Sequence, residues 1–283
     1  MRDAPWFLHA RRIAGRVGLY VIAYLVVAAV VIPLVFSILG GFRSNRALVT
    51  DPVGLPDPWD WSRYVSLLGS SEFHRQVLNS TLIALLTVAV VLPAASMAAF
   101  VLTRSRFKGR EALYGLFTLG LLFPSAVAIL PLFILLRDIG LLSTQWGVIL
   151  PQAAFGLPLA IVIMRPFFSE IPDALHDAAR IDGCGPFGFY WRILLPLSRP
   201  VLSTVAVITI VGSWNAFLLP LLVLIDKSEQ TLPLGVNDIS TAYSTDYGRV
   251  LAYTTLSIIP ALLFYSFAER QIIGGLTAGA VKE

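Results

Sequence analysis

Six long runs of the chain contain no Asp, Glu, Lys, Arg or His. The runs are 17–40, 77–103, 112–136, 147–164, 201–225 and 250–268. A helix of about 20 apolar residues crosses a hydrocarbon core and satisfies its own backbone hydrogen bonds there. The pattern therefore predicts six transmembrane helices. We extend the fourth span to 147–168, because Phe167 and Phe168 suit the interface while Arg165 reaches outward from it.

The composition agrees with a lipid environment. Hydrophobic residues make up 57% of the 283 residues, charged residues only 13%, and the mean hydropathy is +0.78. This leaves too little polar surface to cover a water-soluble globule. We predict an all-α, multi-pass membrane protein with a single transmembrane domain over residues 1–283.

The basic residues predict the orientation. With the N-terminus in the cytoplasm, 14 of the 21 Lys and Arg residues fall on the cytoplasmic side. The positive-inside rule therefore favours cytoplasmic termini, with segments 169–200 and 269–283 also inside, and the pI of about 9.4 requires no nucleic-acid partner. The first apolar run is too long for a signal peptide, and we interpret it as an uncleaved span.

The residues that are missing also limit the function. No span carries an ionisable side chain, which disfavours proton-coupled transport, although sodium coupling through carbonyls and hydroxyls stays open. No catalytic motif or metal-ligand spacing occurs, and the single cysteine, Cys184, excludes an internal disulfide. The sequence contains no phosphate-binding loop of the Walker type. If ATP powers this protein, another chain binds it.

Two polar positions inside the spans are candidates for a translocation path. Trp214 and Asn215 lie several residues deep in the fifth span, where an amide needs a hydrogen-bond partner. They either line the path or make a hydrogen bond between helices, and the sequence leaves both interpretations open. Near the start of the second span, we interpret Asn79 and Ser80 as a helix cap.

Segment 169–200 predicts two short helices joined by glycines. Pro172 and Asp173 suit the start of the first helix, and Gly183 and Gly185 its end. The apolar side of this helix consists of Ile171, Ala174, Leu175, Ala178 and Ile181. The small side chains of its alanines allow the helix to enter the groove of a partner. The alternative is a helix lying on lipid headgroups, which the acidic character of this helix disfavours.

The spacing within this segment resembles a known motif. Asp177-Ala178-Ala179, then Gly183, then Ile193-x-Leu195-Pro196 is similar to the E-A-A-x3-G-x9-I-x-L-P loop of the membrane subunits of ATP-binding-cassette (ABC) importers. Every spacing agrees, and the one departure is Asp177 in place of the usual glutamate. The tail, Gly274 to Glu283, and the segments 230–235 and 244–248 resemble the MalG-like branch of carbohydrate permeases.

This resemblance implies a type I ABC importer permease fold, with a MetI-like core and a cytoplasmic coupling helix. The motif residues would dock on the ATPase, the external segments would contact the solute-binding protein, and the tail would reach into the ATPase dimer. The tail residues expected to touch the ATPase are Gly275, Thr277, Gly279 and Lys282.

The resemblance also implies the function and the partners. The chain would form half of a pore for a sugar or sugar-like solute in a prokaryotic cytoplasmic membrane. It would act with a MalF-like second permease, two ATPase subunits that bind ATP and Mg, and an external solute-binding protein. The chain itself would be no enzyme and would bind no metal or cofactor. The alternatives are an importer of glycerol-phosphate compounds and, from a different class, a stand-alone secondary transporter.

Overall fold

The computed structural model describes residues 5–239 and 245–278, and its regular elements are helices. They are α1 (Pro5–Gly40), α2 (Asn45–Thr50), α3 (Ser62–Leu68), α4 (Ser71–Arg104), α5 (Arg110–Gly120), α6 (Ile129–Asp138), α7 (Trp146–Glu170), α8 (Asp173–Ile181), α9 (Pro186–Phe189), α10 (Leu195–Leu197), α11 (Arg199–Trp214), α12 (Leu218–Val223), α13 (Gly235–Ile239) and α14 (Tyr247–Ala278). A π-helical turn, Tyr190–Leu194, joins α9 to α10, and a 3₁₀ turn, Leu232–Leu234, precedes α13. The predicted all-helical class is confirmed.

The chain divides into two compact units, Met1–Gly69 with Ile239–Leu256 and Ser70–Asp238 with Ser257–Glu283. In the first unit, the ring of Phe42 packs against those of Trp59, Trp61 and Tyr64, with centroids 4.6–5.1 Å apart. The same unit contains α1, whose apolar side chains are largely exposed from Val17 to Ile38. Such a surface requires lipid or another membrane subunit around it.

The second unit is built on α4, which packs along α7 and α11. Val91, Ala95 and Ala99 recur every four residues on α4 and are fully buried. This spacing puts all three on one side of the helix, and the two alanines allow the backbone of a neighbour to approach closely. Small residues on α7, among them Ala153 and Ala160, lie in the same core.

The predicted spans agree with the helices in part. Four helices among the described residues are long and apolar enough to cross a membrane, namely Gly15–Gly40, Ser71–Arg104, Trp146–Glu170 and Tyr247–Ser266. The predicted spans 17–40, 77–103, 147–168 and 250–268 lie on these helices. A fifth is present if Pro186–Leu197 and Arg199–Trp214, which meet at a bend of 77°, count as one span.

Two predicted spans are not continuous helices. The 112–136 span is divided into α5 and α6 around Pro124, and the 201–225 span into α11 and α12 just before Pro220. Proline removes the N–H that would continue the helical bonding. α4 continues through Pro93 and packs along α7 and α11, whereas residues 121–127 around Pro124 are exposed.

The interpretation of Asn79 and Ser80 as a helix cap is wrong. The N-cap of α4 is Ser70, whose hydroxyl accepts from the Phe73 N–H. Asn79 instead donates to the carbonyls of Ser228 and Gln230, at 2.8 and 3.0 Å, and the Ser80 hydroxyl accepts from the Leu232 N–H at 2.8 Å. These two side chains therefore hold the 228–232 segment against α4.

We predict that Gly147→Ala destabilises the protein. A Cβ at this buried glycine on α7 would collide with the Leu141 carbonyl oxygen and lie 2.9 Å from the Val223 side chain. Overpacking of this kind costs roughly 1–3 kcal/mol of unfolding free energy. Thermal unfolding of the purified protein in detergent measures the effect.

The control is Gly115→Ala on α5, where an added Cβ meets nothing within 4 Å. Alanine there is expected to leave the unfolding temperature unchanged or to raise it, because alanine is the better helix former. Equal unfolding temperatures for the two variants would contradict the packing described around Gly147.

Candidate coupling site

The first half of the motif lies on α8. Pro172 stands at its N-cap, and Asp173 puts a carboxylate in the first turn, where it offsets the positive end of the helix dipole. The helix begins and ends within a residue or two of the predicted positions, because both ends depend on local residues.

A Schellman motif ends α8. The Gly183 N–H donates to the Arg180 carbonyl at 3.1 Å, and the Cys184 N–H donates to the Ala179 carbonyl at 2.8 Å. These bonds require a left-handed residue between them, and Gly183 has φ +76°. The backbone conformation therefore explains the glycine at this motif position, because residues with a Cβ are strained at this positive φ.

One side of α8 is left uncovered by the described part of the chain. Ala174, Ala178 and Ile181 share that side and all three are exposed, Ile181 to 86%. The carboxylate of Asp177 is exposed beside them. We call Ala174, Asp177, Ala178 and Ile181 the α8 stripe. An apolar stripe next to a charge is typical of a surface that binds a partner.

Arg104, the last residue of α4, holds the base of α8. Its guanidinium donates to the carbonyls of Phe168, at 3.0 Å, and Ile171 at the end of α7, and it pairs with the Asp173 carboxylate. The Arg104 side chain is only 8% exposed. Carbonyls at a helix end carry partial negative charge, so a buried cation is stabilised there. We call these contacts the Arg104 joint.

α8 and the helical segment Pro186–Leu197 meet at Gly183 and Gly185, and we call this arrangement the elbow. Its second arm, Pro186–Leu197, is also fixed to α4. The Tyr190 hydroxyl lies 2.7 Å from the Ser96 hydroxyl, and the Tyr190 and Phe189 rings pack against Phe100. The His176 ring on α8 meets the Phe189 ring edge-on, with centroids 4.8 Å apart. The second arm therefore packs between α8 and α4, through Phe189 on one side and through Ser96 and Phe100 on the other.

The remaining motif residues divide between core and surface. Ala179 is buried in the core, and Ile193 and Leu195 are half-buried against it. Pro196 is exposed on α10. Among the motif residues, Ala179, Ile193 and Leu195 therefore face the core, whereas Asp177, Ala178 and Pro196 are exposed.

Arg165, expected to reach outward, is paired within the fold. Its guanidinium lies 2.6 Å from the Glu111 carboxylate and 3.9 Å from the centre of the Tyr114 ring. These contacts tie the C-terminal end of the predicted fourth span to α5.

Trp214 and Asn215 do not line the cavity that the second unit contains. That cavity has a volume of about 450 Å³ and lies between α4, α6, α7, α11 and α12. The Trp214 ring is buried against Phe264, with centroids 5.5 Å apart, and Asn215 donates to the Val211 carbonyl of its own helix at 2.9 Å. The Trp214 contact indicates a packing role, whereas Asn215 is exposed and bonds within its own helix.

Sequence reasoning missed the polar residues that do line this cavity. They are Thr87, Ser125, Gln152, Thr209 and Ser213. Like Asn215, Gln152 is an amide inside an apolar run, and this pattern could have identified it from the sequence. Of the predicted tail contacts, Gly275 and Thr277 lie on α14, whereas Gly279 and Lys282 lie outside the described residues.

The long apolar helices are those of a multi-pass helical membrane protein. Residues 91–271 match the family described as binding-protein-dependent transport system inner membrane component. The chain belongs to this family. It is therefore an inner-membrane permease subunit and not an enzyme, as the motif resemblance implied.

The relatives and solved structures agree with this family. The chain is 32% identical over 255 residues to the diacetylchitobiose uptake system permease protein NgcG of Streptomyces coelicolor, covering 89% of this chain and 84% of that protein. It is 34% identical over 256 residues to the arabinooligosaccharides transport system permease protein AraQ of Halalkalibacterium halodurans, covering 89% and 91%. A chain of a bacterial ABC transporter involved in the import of the acidic polysaccharide alginate has the same fold, with a TM-score of 0.81, 22% identity and coverage of 92% and 97%.

We predict that Arg104→Ala loosens α8 without unfolding the protein. The substitution leaves the Phe168 and Ile171 carbonyls and Asp173 without their cation, and a lost charged hydrogen bond costs roughly 1.5–3 kcal/mol. Amide hydrogen exchange in residues 169–182 should then accelerate by about tenfold or more. Mass spectrometry of the exchanged protein measures this.

Arg106→Ala is the matched control, because Arg106 is exposed two residues further on. It removes the same charge and should leave the exchange of 169–182 unchanged. If residues 169–182 of the Arg104→Ala variant exchange as slowly as in the wild type, the Arg104 joint does not hold α8.

Proposed function

We propose that this chain forms half of the translocation pore of an ATP-driven importer that carries a carbohydrate. The α8 stripe docks on a separate ATPase subunit, which binds ATP and Mg. An external binding protein delivers the solute. This proposal extends the family membership to a particular partner surface and a particular solute class.

The observation that carries the proposal is the uncovered α8 stripe. Ala178 and Ile181 present exposed apolar surface, and Asp177 adds a charge that can pair with a basic residue of the ATPase. The Arg104 joint and the Tyr190–Ser96 hydrogen bond stiffen the helix from behind. A docked ATPase therefore pushes on a rigid element, which is the requirement for transmitting motion.

The solute class is inferred from the relatives. NgcG is named for diacetylchitobiose and AraQ for arabinooligosaccharides, and both are at least 32% identical to this chain over 89% of its length. Both names describe oligosaccharides. They support a sugar over a glycerol-phosphate compound, which neither name mentions.

The topology and remaining partners follow from the same proposal. The chain crosses the membrane six times, with 112–136 and 201–225 as interrupted spans and both termini in the cytoplasm. A second permease subunit, MalF-like in type, completes the pore. The tail, with Gly275, Thr277, Gly279 and Lys282, contacts the ATPase dimer, and the ATPase subunits are two in number.

We expect a cysteine on the α8 stripe to crosslink to the ATPase. The natural Cys184 is first replaced by Ser, and Ala178→Cys is introduced, because Ala178 is exposed beside Asp177. A short reagent that couples a thiol to an amine, applied to the co-expressed importer, should join this cysteine to a lysine of the ATPase, as judged by gel mobility and mass spectrometry. A membrane-impermeant thiol reagent should reach this cysteine only from the cytoplasmic side.

Ala179→Cys is the control, since Ala179 is the neighbouring residue of the same type and is buried in the core. The cysteine at position 179 should form no crosslink to the ATPase. Labelling of Ala178→Cys only from outside the cell, or solute transport by the purified chain without any ATPase, would refute the proposal.

We predict that Gly183→Val disconnects ATP hydrolysis from uptake. Valine at φ +76° is strained by about 1–3 kcal/mol, which shifts the elbow and lowers uptake by roughly tenfold, while the ATPase remains active. The measurements are solute uptake and ATP hydrolysis by the reconstituted importer. Asp177→Ala should be milder, because an exposed ion pair contributes only about 0–1 kcal/mol.

Gly185→Val provides the control. An added Cβ meets nothing within 4 Å at either glycine, but Gly185 has an ordinary φ of −68°. Uptake should therefore stay near the wild-type level. If both valine variants transport normally, or if Asp177→Ala is the most damaging, the ranking of backbone over charge is wrong.

A further inference from the structure

The cavity of the second unit holds an unsatisfied amide. Gln152 lines the cavity from α7, and its side-chain Oε1 accepts from the hydroxyls of Ser213, at 2.6 Å, and Thr87, at 3.3 Å. Its Nε2 is covered and has no hydrogen-bond partner among the described residues. Exchanging the two atoms would leave the oxygen unpartnered instead. In either orientation, half of this amide lacks a partner.

An unpartnered amide of this kind is unfavourable. Leaving a buried donor or acceptor unsatisfied costs about 1–3 kcal/mol, and the neighbouring Thr209 hydroxyl is engaged with the Val205 carbonyl of its own helix at 2.8 Å. The terminal torsion of a glutamine is broad, so a rotation of the amide can present its free group to the cavity. A hydrogen-bonding molecule in the cavity would recover the lost interaction.

We propose that Gln152, with Ser213 and Thr87, is a binding site for a hydroxyl group of an uncharged solute in the translocation path. This inference rests on the proposed function. It assigns solute contact to α7 and α11 of this subunit, at positions other than Trp214 and Asn215.

The chemistry of the cavity selects the solute. The residues that line it include no Asp, Glu, Lys, Arg or His, so nothing there compensates a phosphate or a carboxylate. A sugar hydroxyl both donates and accepts, and it therefore satisfies either orientation of the Gln152 amide. The rings of Phe155 and Phe217 offer apolar faces on which the C–H face of a sugar packs. The volume of about 450 Å³ is within the range of small-molecule sites.

The first test is Gln152→Leu in the importer reconstituted with its ATPase, second permease and binding protein. Leucine keeps most of the volume and removes both polar atoms, and the Ser213 and Thr87 hydroxyls can turn to carbonyls of their own helices. Uptake of diacetylchitobiose or an arabinooligosaccharide, whichever the wild type carries, should fall about tenfold. ATP hydrolysis in the absence of solute should stay at the wild-type level.

Asn215→Leu is the control for the loss of an amide, because Asn215 is exposed and outside the cavity lining. Its uptake should remain near that of the wild type. A Gln152→Leu importer that carries the sugar at the wild-type rate would overturn the proposal. So would failure of this variant to assemble with the second permease, since the amide would then belong to the subunit interface.

The second test is independent of Gln152 variants. In the Cys184→Ser background, Ser213→Cys should react with a small thiol reagent, and saturating transported sugar should slow that reaction, whereas glycerol 3-phosphate should not. Labelling that ignores the sugar, or that glycerol 3-phosphate slows equally, would count against a sugar site. A wild-type importer that carries no sugar at all would instead overturn the proposed function.

Discussion

The position of α8 depends on a largely buried cation, Arg104, at the junction of three helices. Arg104 ends α4, binds the last carbonyls of α7 and pairs with the first residue of α8. Three helices therefore meet at a single guanidinium whose planar fork of donors suits several oxygens at once. Without it, the chain between α7 and α8 would be a two-residue hinge, free to bend when a partner pushes on α8. With it, α8 moves only if α4 and α7 move.

Much of the elbow could be predicted from the sequence because its signals are local. The start of α8 follows from Pro172 and Asp173, and its end follows from Gly183, each within a few residues of the element it controls. The Arg104 joint was not predictable in this way, since its partner Asp173 is 69 residues away and arginine at a span end has an ordinary explanation in the positive-inside rule. The pairing depends on how α4 and α7 pack.

The errors have a common physical origin. Absence of charge predicts that a segment lies in an apolar environment, but it does not predict that the segment is one helix, as the breaks at 121–128 and 215–217 demonstrate. In the same way, a polar residue near the start of a span suits a cap by sequence, whereas Asn79 and Ser80 bind backbone groups some 150 residues away. Helix continuity and polar partners are both decided by tertiary neighbours, which periodicity does not contain.

Helix α7 links the two proposed sites, because it carries Gln152 and leads into α8, which bears the α8 stripe. α7 carries Gln152 near its N-terminus and ends at the Arg104 joint, about 27 Å away at 1.5 Å per residue. The prolines at 151, 158 and 166 interrupt its bonding at intervals, so the helix can bend without unfolding. A displacement of α8 therefore reaches Gln152 through a continuous backbone. α4 bears both Thr87 and Arg104, so a motion that tilts α7 against α4 changes the distance between Thr87 and Gln152. When this hydrogen bond breaks, the Gln152 amide has one more group free to bind a solute.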